Sequence, residues 1–381
     1  MERAYAMQRA KLTRKRWQFI GILAVAVSVV AVLVILIVSL LGAPTVTKVK
    51  AYRLPCDYSE NIKPFGQYVL FYDGVSIHCM SPTGTVRWSF QIGNDAGFSA
   101  GEEYIAAWTG STIYVIDQNG NSTYNDNLGE TIQFARIGKQ YVAAVVGGDT
   151  TPTLLVKDHY GAHMDMESDA YQYLMLLDVG FYGKNGEYMW TLALDIYGTA
   201  SNTVLNTYEV GKMNTGAVSL GEALPYDILF ENSILHVITT RKMLAFNYRG
   251  TEDTTKSVLV YGWKPLGWEV PARGDALILF APTSQTDSSY DIRELRLLQG
   301  DDDHQYSLPD ICIGATLWNK NIYALSGDTL YRAAVGDNRF TDYDLPLAAD
   351  ATHFMGTLSG GNILVASGKE VYVLTLPSAA R

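Results

Sequence analysis

One stretch of this chain is apolar without interruption, and the rest is apolar only in short bursts. Residues 19–41, FIGILAVAVSVVAVLVILIVSLL, run 23 positions without a charge. At about 1.5 Å per residue, such a helix crosses a hydrocarbon core of roughly 30 Å with some tilt. A cleavable signal peptide has an apolar region of only about 7–15 residues. The small-x-small match at Leu41-Gly42-Ala43 is also poor, so the segment predicts an uncleaved transmembrane signal anchor. From Thr45 onward no window sustains helical periodicity. Short β-rich runs are instead punctuated by Gly, Asn and Asp, the mark of strands joined by tight turns.

The punctuation recurs. A β-rich run and a turn end at Gly84, Gly120, Gly161, Gly216, Gly250, Gly300 and Gly336, and a last run closes at Pro377. The intervals are 36, 41, 55, 34, 50, 36 and 41 residues. A period of about 40–50 residues is that of four-stranded propeller blades. Glycine suits these turns because they need positive φ. A second apolar run precedes each turn strand, from QYVLFYDG to NILVASG, which makes eight pairs. The predicted fold is therefore all-β, an eight-bladed β-propeller over 45–377, with seven blades as the alternative. The long repeats before Gly216 and Gly300 leave that count open. The last repeat lacks an outer strand, and 45–54 is an orphan at the other end. Pairing the orphan with 370–376 completes the last blade and closes the ring.

Charge sets the orientation. Arg14, Lys15 and Arg16 abut the apolar segment, and Trp17 sits at its interfacial edge. The positive-inside rule then places a basic tail, 1–18, in the cytoplasm. The helix is 19–41, the linker 42–44, and the β domain is extracytoplasmic at the cell membrane, a single-pass layout. Residues 1–44 carry a net +5 and the remainder −15. So acidic a domain repels nucleic acid and anionic headgroups, which excludes a nucleic-acid partner.

At Thr83-Gly84-x-x-x-Trp88 the chain resembles the tryptophan-docking turn of quinoprotein-type propellers. In that family the Trp packs onto the neighbouring blade. DQNGNSTY keeps the spacing, with Tyr124 in the Trp position. The whole layout resembles a bacterial domain-of-unknown-function family of single-pass membrane-anchored propellers. Propellers that assist outer-membrane assembly are similar in blade type, but they are lipoproteins. Quinoprotein dehydrogenases carry adjacent cysteines and a calcium site. Here Cys56, Cys79 and Cys312 are far apart, so the resemblance implies no quinone, and the expectation is no cofactor.

Few residues suggest chemistry. His159, His163 and Asp165 fall within seven positions, but they flank a repeat turn and are expected to be solvated hairpin residues. The run Asp301-Asp302-Asp303-His304 lacks the alternating acids of a calcium loop and reads as a solvated turn. The cysteines fit three buried apolar positions, with a Cys56–Cys79 bridge as the alternative. Trp263 and Trp268, with Pro265 and Pro271 in the same stretch, read as aromatics on a rigid loop. They are candidate partner-binding residues, with interblade packing as the alternative. No GxSxG, HExxH, phosphate-loop or dinucleotide motif occurs, so no catalytic or metal residue is assigned. Two functions follow. One is a protein-interaction or scaffold module in envelope assembly or sensing. The other is a small-molecule or glycan-binding or hydrolytic propeller with its site at the channel mouth.

Overall fold

The computed structural model describes residues 48–376 apart from 60, 213, 232, 248, 272 and 287–290. The segments 1–18, 19–41 and 42–44 lie outside the described residues. Among the described residues, no helix is long and apolar enough to cross a membrane. Those residues form eight four-stranded antiparallel sheets, each a blade. Blades 1 to 7 span 62–91, 97–127, 132–167, 175–221, 225–259, 263–312 and 314–344. Blade 8 takes three strands from 353–375 and its outermost from Lys50–Asp57. The eight-blade count is thus the correct one.

Position within a blade explains strand composition. Second and third strands are covered on both sides by neighbouring blades, so they are nearly continuously apolar. Leu277–Pro282 in blade 6 is buried at every position. Outer strands are half-solvated, and Ser122–Asn127 in blade 2 carries mostly polar side chains. Buried side chains sort into eight clusters, one between each pair of neighbouring blades among the described residues.

The ring closes as the sequence suggested, with a shifted boundary. The closing strand is Lys50–Asp57 rather than 45–54. It pairs antiparallel with Glu370–Thr375, from Lys50 opposite Thr375 to Asp57 opposite Glu370. Leu54 is buried in the core between blades 8 and 1, and beyond it the strand runs through an irregularity in register to Asp57. Arg53 also bonds Glu370 at 2.9 Å.

Four third-to-fourth-strand turns share one chemistry. Ser81, Asp117, Asp158 and Asn247 each stand three residues before a glycine and accept its backbone N–H at 2.9–3.1 Å. Each side-chain oxygen also accepts the backbone N–H four residues on, at 2.8–3.1 Å. This is how Ser, Asn and Asp stabilise turns. One sequence mark was misplaced. Gly216 is not a turn residue; it lies in the outer strand of blade 4, opposite Thr207. The turn glycine there is Gly211, at φ +77°. It follows Glu209 and Val210 rather than a short capping side chain, so its signal was weak.

These turns also lock blade to blade. The Trp88 ring of blade 1 lies on Gly120 of blade 2, where a Cβ would sit 2.7 Å from the ring. Its indole N–H donates to the Gln118 carbonyl at 3.0 Å. Tyr124 of blade 2 covers Gly161 of blade 3 in the same way, 2.3 Å from where a Cβ would be. Thr123 Oγ1 donates to the His159 carbonyl beside it at 2.7 Å. Both glycines have φ near +85 to +90°. They serve two needs that only glycine meets at once, a left-handed turn and a bare surface for a ring.

The antiparallel order gives the ring two distinct faces. One carries the hairpins joining strands 1–2 and 3–4 of each blade, and is here called the hairpin face. The other carries the turns joining strands 2–3 and the crossovers from blade to blade, and is the crossover face. Lys50 pairs with Thr375 at the end of a third strand, so both ends of the ring leave at the hairpin face.

Candidate functional site

Exposed apolar side chains are unevenly distributed over these faces. The crossover face of blades 4 to 6 carries Tyr173, Ile196, Tyr197, Leu224, Tyr226, Leu259 and Tyr261. Tyr173, Tyr197 and Tyr261 are 66%, 59% and 72% exposed. The loop leading into blade 4 shows how one of them is held. Its short 3-10 helix, Asp169–Tyr171, buries Tyr171 completely. The Tyr171 hydroxyl shares hydrogen bonds with Thr191 Oγ1 at 2.9 Å and with the Tyr208 hydroxyl. Two residues on, Tyr173 has φ +65°. A tyrosine pays about 1–3 kcal/mol for that backbone. Its N–H donates to the Thr150 carbonyl at 2.9 Å, and its ring meets Tyr197 edge-on, centroids 6.5 Å apart. The buried tyrosine thus anchors a strained loop that presents an exposed one.

Trp263 and Trp268 are not on a loop. They belong to Trp263–Glu269, the innermost strand of blade 6. Pro265 is tolerated because the pairing register shifts between it and Gly267, next to the strand's open side. Trp263 is half-buried against the core between blades 5 and 6, with the Arg296 guanidinium 5.8 Å from its ring centroid. Trp268 is 44% exposed, and its indole donates to Asp227 Oδ2 of blade 5 at 3.0 Å. Burial raises the Asp227 carboxyl above its ordinary range. Both tryptophans therefore make interblade contacts.

His159 and His163 part company at their turn. His163 starts the outer strand of blade 3 and is exposed. His159 is not solvated as expected: it is buried, with its ring centroid 4.0 Å from that of Tyr104 in blade 2. Among the described residues its Nε2 has no hydrogen-bond partner. The three cysteines are free thiols, Cys79 and Cys312 buried and Cys56 half-buried. Burial pushes the first two up to about 12.

Cavities open between several pairs of neighbouring blades. One of about 540 Å³ lies between blades 3 and 4, beside Met164, Met166, Met189 and Tyr208. Another, of about 390 Å³, lies between blades 5 and 6 at the hairpin face. Its apolar wall includes Met243, Ile278 and Leu298. Asp301, Asp302 and Asp303 are exposed, as a solvated turn requires, and stand at the cavity's edge. Asp303 is held by Arg296 in a two-pronged pair at 3.0 and 2.8 Å. Within the cavity, Glu231 accepts the backbone N–H of Ala276, and its other oxygen faces His236 Nε2 at 3.1 Å. Sequence reasoning missed this pair. Its two members lie on one hairpin of blade 5, but the Ala276 N–H that fixes Glu231 comes from blade 6, and nothing local marks that meeting. Among the described residues no three His, Cys, Asp or Glu side chains converge as metal ligands.

No family model and no curated protein sequence matches the chain. Solved structures do. Sqt1 of Saccharomyces cerevisiae has a TM-score of 0.56 at 9% identity, covering 86% of this chain and all of that one. BamB of Moraxella catarrhalis, a quinoprotein-like propeller, has a TM-score of 0.51 at 10% identity, covering 88% and 99%. At such identities the likeness is one of fold: this chain is built like those β-propellers.

Proposed function

We propose that this chain is a membrane-anchored, extracytoplasmic interaction platform whose protein partner docks on the crossover face of blades 4 to 6. The observation that carries the reading is Tyr173, held outward at positive φ by the buried Tyr171 anchor. Backbone strain under an exposed side chain is of the kind retained at surfaces that must be presented. Beside it, tyrosines and aliphatics recur on the same face of the next two blades. Tyrosine offers large contact area for little lost freedom, and aromatics are enriched at protein interfaces. A lipid surface is a poorer match, because residues 45–381 carry −15 and repel anionic headgroups.

The anchor is the charge-free segment 19–41, oriented by the basic residues before it. Since the closing strand starts at Lys50, the tether comprises residues 42–49 and reaches at most about 26–29 Å. The closing strand begins at the hairpin face, where Lys50 pairs with Thr375. A role in envelope assembly or sensing fits that arrangement.

The test replaces Tyr173, Tyr197 and Tyr261 by Ser in the full-length chain. The reading expects the melting temperature to stay and a partner that co-purifies with the wild type to be lost. Retention of the same partner by the triple variant contradicts it.

A further inference from the structure

The cavity between blades 5 and 6 has a chemistry of its own. The His236 side chain is 8% exposed and lines it. One ring nitrogen, Nε2, faces Glu231; the other, Nδ1, has no hydrogen-bond partner among the described residues. A buried polar atom is seldom left so. With Glu231 Oε2 as the acceptor, Nε2 is the donor and Nδ1 offers a lone pair. Burial holds the imidazole below its usual range, against the pull of Glu231, which keeps that lone pair bare. What is missing is a donor.

The lining charge says which kind. Glu231, Asp275, Asp301 and Asp302 line the cavity, with Lys256 as the cation beside them. Asp303 is already neutralised by Arg296. The surplus is negative, which disfavours an anion and favours a cation that brings N–H bonds. The ligand-like grouping a bare metal ion requires does not occur among the described residues. The apolar wall of Met243, Ile278 and Leu298 suits a hydrocarbon stem. A volume of about 390 Å³ lies within the range of small-molecule sites, roughly 300–1,000 Å³.

We propose that this cavity binds a primary ammonium group on a short aliphatic stem, with one N–H accepted by His236 Nδ1 and the charge balanced by Glu231, Asp275, Asp301 and Asp302. Two sources share that chemistry, a free aliphatic amine and the lysine side chain of a partner. The site lies at the hairpin face, so it stands or falls apart from the crossover-face docking surface.

Calorimetric titration of the full-length protein tests it, using butylammonium, with butanol and butyrate as neutral and anionic analogues. Butylammonium should give saturable heat, and the two analogues none. The D301N/D302N variant, altered only at exposed turn positions, should bind about tenfold more weakly. His236→Leu should abolish binding. Should that variant fail to fold, the histidine Nδ1 resonance of ¹⁵N-labelled wild type serves instead, and it should move on adding amine. A lysine source shows as tighter binding of Nα-acetyl-lysine methylamide than of butylammonium, and a free-amine source as the reverse. Absence of saturable amine binding overturns the proposal. So does equal binding of butanol, unchanged binding in D301N/D302N, or an unmoved Nδ1 resonance in the presence of bound amine.

Discussion

Blades 1 to 3 and blades 4 to 6 are built from the same four-stranded unit, yet they use it differently. In the first set the turns are short and capped by Ser81, Asp117 and Asp158, and aromatic rings dock onto the next turn's glycine. In the second set the connections lengthen, from Asp195 to Asn202, Asn247 to Val258 and Pro282 to Ile292. There the molecule exposes tyrosines at one face and opens a polar cavity at the other. Regular repeats close the ring, and the exposed tyrosines gather where the repeats depart from regularity.

The comparison can be broken most severely at the seam. Deleting Lys50–Asp57 removes the outer strand of blade 8 and bares an edge on Glu370–Thr375. The expected product aggregates and lacks a cooperative thermal transition. A chain starting after Asp57 that stays monomeric and melts like the wild type would show that this strand does not close the ring.

Next in size is the docking of blade 1 on blade 2. Trp88→Ala removes a half-buried ring and its bond to the Gln118 carbonyl, an expected loss of about 2–3 kcal/mol in chemical denaturation. Trp268→Ala removes a more exposed ring and the donor to Asp227, for about 1–2 kcal/mol. If Trp268 proved the costlier, the division between a locked half and a presenting half would be wrong.

Acid sharpens the contrast between the two buried histidines. Burial holds both His159 and His236 below the usual 6.5. Each is neutral in the fold, and the unfolded chain takes up the proton first. Their contribution is therefore complete above about pH 6.5 and is lost as pH falls toward the folded-state values. Replacing His159 by Phe should flatten the fall in melting temperature between about pH 7 and 5. The same slope in the variant would mean that His159 is not its source. Glu231 opposes the shift at His236, so His236→Leu should flatten it less.

The rhythm of blades was legible because turn chemistry is local: a short capping side chain three residues before a glycine announces itself in the sequence. Trp88 and Tyr124 were legible for the same reason, lying at fixed distances from those turns. Gly216 misled because the turn at Gly211 lacks the capping residue, and the strand after it contains its own glycine. Trp263 and Trp268 misled because two prolines suggested a loop, whereas the strand is innermost and has an open side that proline tolerates. The cavity between blades 5 and 6 could not be read at all. Glu231, His236, Asp275 and Asp301 meet only because two blades pack. Nor does a tyrosine codon say which face a loop will occupy; that needs the strand order.

The central claim is that a partner protein docks on the crossover face of blades 4 to 6, and site-specific photocrosslinking in intact cells tests it most directly. A photoreactive side chain would replace Tyr197 or Tyr261 on that face, and, for comparison, Tyr160 at the opposite face, which is 73% exposed. The account predicts one discrete protein adduct common to the first two positions and missing from the third. It also predicts that the adduct disappears when Tyr173 is changed to Ser in the Tyr197 background. An adduct of the same mass from Tyr160, or none from Tyr197 and Tyr261 in cells where the chain is folded, would contradict it.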